Sequence, residues 1–493
     1  MTTSYLAILP EVILIILAAV VLVYGRHPKG DVKRNVGLMT AWGAFLALVV
    51  TIAVSWAGVP GPQPESLWGG MFRNDNITMV FRTLFITATM ITAMLTVDVK
   101  RLQHGEYYAL MLLGTVGFNL MAASNDLIML YLALETASIS FYILAAFATD
   151  DRRSPEAGIK YFVYGAFASA VMLYGLSFLY GMTGETNIQA LASALVNGVN
   201  IDGLPAGGLT NNPLIILAVI LVIAGFGFKI SAVPFHFWSP DVYEGAPTNT
   251  TALLSTASKA AGFSVFLRLF LSGAFGSPNQ QNWYTVLVIM AIFSLVLGNF
   301  GAFWQTNIKR LLAYSGVGQA GYLLIGLISY SPEGAGSVLF YLMMYMFTNI
   351  AAFGVVILVA NATGSDEIED LKGLSRRNPW LAIVMLFSLL SLAGIPPAAG
   401  FFGKFFIFRA AVDAGHWQLA LFAIVMAFVA LYYYFNVIKV IYLERNKDET
   451  PLPVSRVAGF ALGICTIAIL WLGILPGGLF DWTVTAAQAF FTG

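Results

Sequence analysis

Four ionisable residues stand inside long apolar stretches of the sequence: Glu135 in LIMLYLALETASISFYILAAF, Lys229 in LIILAVILVIAGFGFKISAVPFHFW, Lys259 in TALLSTASKAAGFSVFLRLF and Lys404 in SLLSLAGIPPAAGFFGKFFIFRAA. A lysine at the centre of a membrane-length apolar segment costs about 3 kcal/mol on insertion scales, so it must face protein or water. One acid among three lysines points to a polar path rather than to closed ion pairs that fix helix register. Burial and a neighbouring carboxylate pull a lysine's proton in opposite directions, which poises it to gain and lose that proton. The chemistry such a set supports is proton relay. His236 follows Lys229 by seven residues, on the same helical face if the helix resumes after Pro234, and histidine exchanges protons near neutrality; a structural histidine fits the spacing equally well. Glu156 and Lys160, at i and i+4, make a surface pair and a candidate proton entrance. Arg268, Arg409 and Lys439 lie nearer helix ends, where snorkelling to the interface explains them.

The elements that position these residues must be membrane helices. The chain is 58% hydrophobic and only 10% charged, with a mean hydropathy of +0.79, which excludes an ordinary soluble domain. Net charge is zero, so nothing points to nucleic acid. Cys465 is the single cysteine, which excludes an intrachain disulfide and a cysteine-ligated cluster. His27, His104, His236 and His416 are scattered, so no metal site is expected. The opening MTTSYLAILPEVILIILAAVVLVYG contains Glu11 and lacks a basic n-region and a small-residue cleavage site, and reads as a retained first helix.

Taken in order, about fourteen apolar segments have spanning length: 4–24, 36–57, 77–97, 105–123, 127–147, 157–181, 214–238, 250–273, 283–304, 308–328, 336–360, 379–411, 417–442 and 455–475. The loops after odd-numbered segments carry Arg26, Lys29, Lys33, Arg34, Lys100, Arg101, Arg152, Arg153, Lys309, Arg310, Lys372, Arg376, Arg377, Arg445 and Lys447, with Arg456 opening the last helix; those after even-numbered segments carry only Arg73. This asymmetry puts the odd loops in the cytoplasm and both termini outside. Outer loops 58–76 and 182–212 read as plain surface connections, and cytoplasmic loop 361–378 as a solvated linker or docking edge.

Two segments are interrupted, at Pro234 in the seventh and at Pro396 and Pro397 in the twelfth, because proline removes a helical donor and frees a carbonyl that lipid cannot satisfy. Their opposite orientation, five helices apart, is the mark of an inverted repeat. The expected fold is an all-α polytopic membrane protein with two inverted five-helix repeats (105–274 and 283–443), preceded by three helices (1–104) and followed by one (444–493). The motif GVGQAG at 316–321 has the spacing of a dinucleotide fingerprint but lies inside a membrane helix without a preceding strand, so small-residue helix packing explains it.

PFHFWSPDVYEGAPT after a mid-membrane lysine, STASKAAGF, KRLLAYSGVGQAGY and AGIPPAAGFFGKFFIF together resemble the antiporter-like membrane subunits of respiratory complex I, NADH-quinone oxidoreductase. PDVYEGAPT and the LPE opening resemble the N-type branch; the lysine at 404, where the M-type usually has glutamate, and the absence of the L-type's lateral helix favour the same branch. The resemblance covers nearly the whole chain. It implies fourteen helices, and it matches Glu135, Lys229, Lys259 and Lys404 to the family's glutamate and lysines. It also implies no cofactor in this chain, with quinone, flavin and iron–sulfur clusters in partner subunits, M-type and K-type neighbours, lipid around it, and a bacterial inner membrane. Gln319 stands where many relatives have histidine, which leaves no titrating group at that position. The related alternatives are a subunit of a cation/proton antiporter and a non-pumping spacer of the membrane arm.

Overall fold

The computed structural model describes residues 2–26, 30–56, 65–198, 209, 212–271, 281–446 and 450–491; His27, Lys29 and Lys447 lie outside them. In chain order the elements are α1 (Thr2–Ala7), α2 (Leu9–Tyr24), α3 (Gly30–Trp56), β1 (Glu65–Leu67), β2 (Phe72–Asn74), α4 (Asn76–Thr96), α5 (Gly105–Ala123), α6 (Leu127–Ala145), α7 (Arg153–Thr183), α8 (Ile188–Asn197), α9 (Pro213–Lys229) and α10 (Trp238–Gly245). They continue as α11 (Thr248–Leu253), α12 (Lys259–Leu271), α13 (Gln281–Ala302), α14 (Ile308–Ile328), α15 (Pro332–Thr363), α16 (Leu374–Arg377), α17 (Pro379–Ala393), α18 (Gly400–Asp413), α19 (Trp417–Tyr442), α20 (Arg456–Ile474) and α21 (Gly477–Ala487). Among the described residues, nine helices are long and apolar enough to cross a membrane by themselves. Others fall short because the breaks divide their segments: α9 and α17 are apolar but only 17 and 15 residues long.

Helices α4, α14 and α15 form the middle of the bundle and are buried along most of their length, whereas α3, α7 and α19 turn much of their surface outward. Their outward residues include Phe162, Phe167, Tyr174 and Phe428, the apolar surface that hydrocarbon solvates. Small residues let α13 and α14 approach closely: a Cβ on Gly298 would strike the backbone of Gly318, and one on Gly321 would lie 2.9 Å from the Ala291 carbonyl. GVGQAG is thus a packing motif, as the sequence indicated.

Several local expectations need correction. The seventh segment does not run helically to Trp238: α9 ends at Lys229 and the chain turns until α10, so His236 does not share a helical face with Lys229. The reason is the proline ring, which clashes with the carbonyl four residues back, at Ile230, and forces the preceding residue out of the helical region. Pro234, Pro396 and Pro397 lie exposed on the outside of the chain. Loop 58–76 includes the hairpin β1–β2, pairing Glu65 with Asn74, and loop 182–212 includes α8; neither is a plain connection. Loop 361–378 carries a 3-10 turn, Ile368–Leu371, and α16. Arg268 does not snorkel: it is buried and ion-paired with Asp75. Arg409 and Lys439 do reach outward, with side chains 66% and 62% exposed. A further helix, α21, follows α20 and packs on α15, with Phe480 stacked on Phe406 of α18.

Candidate functional site

Lys229 is the last residue of α9 and is buried. Its position at a helix C-terminus is favourable for a cation, because the unsatisfied carbonyls there carry partial negative charge. Its Nζ donates to Ser138 Oγ on α6 at 3.3 Å and lies 5.6 Å from the centre of the Phe118 ring. Glu135 stands one helical turn before Ser138 on α6. The two make no ion pair within 4.0 Å; Glu135 Oε1 is buried without a hydrogen-bond partner. The structure therefore shows the acid and the lysine apart, with the serine hydroxyl between them in sequence and on the same helical face. The break beyond Lys229 is held by side chains: Trp238 Nε1 donates to the Phe228 carbonyl at 2.9 Å, beside the Ser231 N–H at 3.0 Å, and Val233 N donates to Ser294 Oγ of α13 at 2.9 Å. His236 is buried in this turn with Nδ1 unpartnered.

Lys259 opens α12, directly after a π-helical turn over Leu254–Ser258. Such turns widen a helix locally and recur at functional sites. Lys229 packs beside Gly262, one turn beyond Lys259 on α12: a Cβ there would come 3.3 Å from Lys229 Cγ. Lys259 Nζ donates to the Gly316 carbonyl of α14 at 2.5 Å. Gly316 leaves the room this needs, since a Cβ would lie 3.2 Å from Lys259 Nζ and 3.3 Å from the Tyr345 hydroxyl.

The second break repeats the device. Pro396 and Pro397 clash with carbonyls four residues back, at Leu392 and Ala393, and end α17 there. Lys404 Nζ of α18 donates to both carbonyls, at 2.9 and 3.0 Å, and lies 4.8 Å from the centre of the Tyr322 ring. The lysine is held by the acceptors that the prolines set free. Ala399 N, bonded to the Ile469 carbonyl of α20 at 3.0 Å, braces this turn. Beside Lys404 an apolar crevice of about 240 Å³ opens between α18 and α19.

Residues that sequence reasoning passed over, together with Gln319, join the second lysine to the third. Ser315, next to Gly316, bonds Tyr434 of α19 at 2.6 Å. Gln319 Nε2 donates to the Tyr434 hydroxyl and to the Leu392 carbonyl, both at 3.3 Å, and the Tyr341 hydroxyl donates to Gln319 Oε1. All are buried. Their signal in the sequence is the helical spacing of Ser315 and Gln319, and of Tyr341 and Tyr345, inside apolar runs.

At the end of the bundle that carries the basic loops, Lys160 pairs with Glu156 at 2.8 Å and with Asp241 at 2.9 Å, and Arg310 bridges Asp241 and Glu244. These residues rim a crevice of about 190 Å³. Nearby, Asp366 takes Lys309 at 2.8 Å and Arg153 at 3.3 Å. Burial pushes the Asp366 carboxyl up, but Lys309 and Arg153 outweigh it and hold the group below the usual carboxylate range. At the opposite end, Asp75 caps α4 and takes both Arg73 and Arg268; the two guanidiniums overcome burial and keep its carboxyl low. Glu11 and Arg82 form a further buried pair, 2.8 Å apart, that the sequence reading overlooked. Among the described residues, no three His, Cys, Asp or Glu side chains gather as metal ligands.

A family model for the transmembrane NADH:quinone oxidoreductase/Mrp antiporter proteins matches residues 124–430. A protein from Heliobacterium modesticaldum, named NADH-quinone oxidoreductase subunit N, is 44% identical over 94% of each chain. The chain belongs to this family. It is an integral, multi-pass membrane protein, and its relatives at 37–45% identity carry the subunit N name. Among solved structures of the family, a chain of respiratory complex I from Thermus thermophilus is 31% identical, with a TM-score of 0.77 over 96% of this chain and 98% of that one. A chain of the Mrp complex from a Dietzia species shares the fold, with a TM-score of 0.86, 100% and 98% coverage and 21% identity.

Proposed function

We propose that this family member translocates protons as the N-type membrane subunit of an NADH-quinone oxidoreductase complex, without redox chemistry of its own. The observation that carries the reading is the succession of three buried lysines, two of them at helix breaks, with side-chain and backbone groups joining the second to the third. In this reading a proton enters from the cytoplasm near Lys229 and His236, passes to Lys259 and leaves outward by way of Lys404. Glu135 tunes Lys229 by approaching and withdrawing, with Ser138 holding the ammonium in the withdrawn state. Glu156 and Lys160 stand at the rim of a cytoplasmic crevice, the candidate entrance.

The same reading takes the chain as about fourteen spans in two inverted repeats, 105–274 and 283–443, between an N-terminal unit 1–104 and a C-terminal unit 444–493. Both termini lie outside a bacterial inner membrane. Neighbouring M-type and K-type subunits flank it, and quinone, flavin and iron–sulfur clusters belong to partner subunits, with NADH or ferredoxin as donor. The half-buried Glu135 supports a protein neighbour: it borders an exposed stripe of α6 formed by Ile128, Leu132, Ile139 and Ile143, and a carboxylate beside lipid is costly. Purification of the tagged chain tests the assignment. Recovery with flavin and iron–sulfur subunits supports it; recovery within a complex that lacks redox subunits and exchanges cations for protons overturns it in favour of an antiporter.

A further inference from the structure

Resting on the relay reading, we propose that Gln319 is a positioning residue that couples Lys259 to Lys404 without carrying a proton itself. The groups between the two lysines are carbonyls, hydroxyls and one amide, and none titrates near neutrality. The amide is bonded on three sides. Leu392's carbonyl accepts from Gln319 Nε2 at 3.3 Å and from Lys404 Nζ at 2.9 Å. A carbonyl only accepts, so it fixes which end of the amide faces it. Oε1 then takes the Tyr341 hydroxyl proton, and the second Nε2 hydrogen goes to the Tyr434 oxygen.

With that oxygen engaged, Tyr434 has its own hydrogen left for Ser315 Oγ, 2.6 Å away. Ser315 precedes Gly316, whose carbonyl holds Lys259 Nζ. One amide thus sets the direction of the hydroxyls that reach toward Lys259 while sharing an acceptor with Lys404. A charged Lys404 competes for the Leu392 carbonyl; a neutral or withdrawn Lys404 leaves it to Gln319. The charge state of the third lysine is thereby felt at the second through the strength of the Gln319–Leu392 hydrogen bond, with no proton passing through Gln319.

The test uses the intact complex in native membranes, with assembly checked, and measures proton-coupled quinone reduction against pH. Gln319→Leu keeps the volume and loses every hydrogen bond; its coupled rate should fall on the order of tenfold to a hundredfold, as misplacement of a proton-transfer chain does. Gln319→His restores an acceptor and a donor and should recover most of the rate. The recovered rate should fall toward acid below about pH 6.5, where imidazolium can no longer accept from Tyr341, a limb that a purely structural role would not create. Tyr434→Phe, which removes one hydroxyl, should also slow coupling, and the double variant with Gln319→Leu should be no worse than the poorer single. A wild-type coupled rate in Gln319→Leu, or in Tyr434→Phe should the leucine variant not assemble, overturns the inference, as does a Gln319→His rate with no added pH dependence. Lys404→Ala in the same assay separates the levels. If it pumps normally the relay reading fails; if it is inactive while Gln319→Leu is normal, only the role of Gln319 fails.

Discussion

Removing the charge of Glu135 should slow the complex by an amount the geometry sets. Glu135 and Ser138 lie one helical turn apart, a side-chain separation of about 5–6 Å, and Lys229 Nζ is 3.3 Å from Ser138 Oγ. The carboxylate-to-ammonium distance is then at most about 9 Å, and a separation of about 8 Å at an effective dielectric of about 20 corresponds to roughly 2 kcal/mol of attraction. If the approach and withdrawal of Glu135 is a step of the cycle, Glu135→Gln forfeits that attraction, and turnover should drop about thirtyfold. Glu135→Asp keeps the charge on a shorter arm and should lose much less. Lys229→Gln abolishes the same step. The double change should therefore fall short of the product of the singles by roughly the same 2 kcal/mol. The assay is NADH-driven quinone reduction in membranes where assembly has been verified for each variant. Additivity within about 0.5 kcal/mol would refute the coupling, because independent sites behave that way.

Two other outcomes follow from the packing. Gly316→Ala places a methyl 3.2 Å from Lys259 Nζ and 3.3 Å from the Tyr345 hydroxyl; with the helix otherwise unchanged, coupled turnover should fall about tenfold as Lys259 loses its acceptor, and normal turnover would show that this contact is dispensable. Asp366, held below the usual carboxylate range by Lys309 and Arg153 despite burial, has a folded-state pKa under its unfolded value of about 3.9, so its contribution is complete above that pH and disappears as acid titrates the folded carboxyl. Thermal unfolding of the detergent-solubilised complex between about pH 6 and pH 3 should show wild type losing more stability than Asp366→Asn; parallel losses would contradict this.

The buried lysines were legible because a charge inside an apolar run has few explanations, and the breaks were legible because proline has a fixed effect on a helix. The depth of each break was not. Helix α9 ends five residues before Pro234, since the ring acts on the carbonyl four residues back; counting from the proline itself carried the helix too far and put His236 on the wrong face. The identity of the acceptors that hold Lys259 and Lys404 was also hidden, because they are backbone carbonyls, which carry no residue-type signal. Ser138, Ser315 and Tyr434 look like ordinary polar interruptions until the helices that bring them together are assembled. Arg268 and Arg82 were misjudged or missed for a related reason: their acids, Asp75 and Glu11, come from distant parts of the chain, so position along a single helix did not reveal the pairing.

The central claim is that protons cross the membrane through this chain by way of its buried lysines. Its most direct test is proton uptake into vesicles carrying the assembled complex during NADH oxidation, compared between wild type and Lys259→Ala. Lys259 lies between the other two lysines, and alanine preserves the helix while removing the ammonium. The account predicts that proton movement per assembled complex collapses, and that Lys259→Arg, which keeps a charge but does not release its proton, fails as well. Wild-type proton movement in assembled Lys259→Ala complex would contradict it.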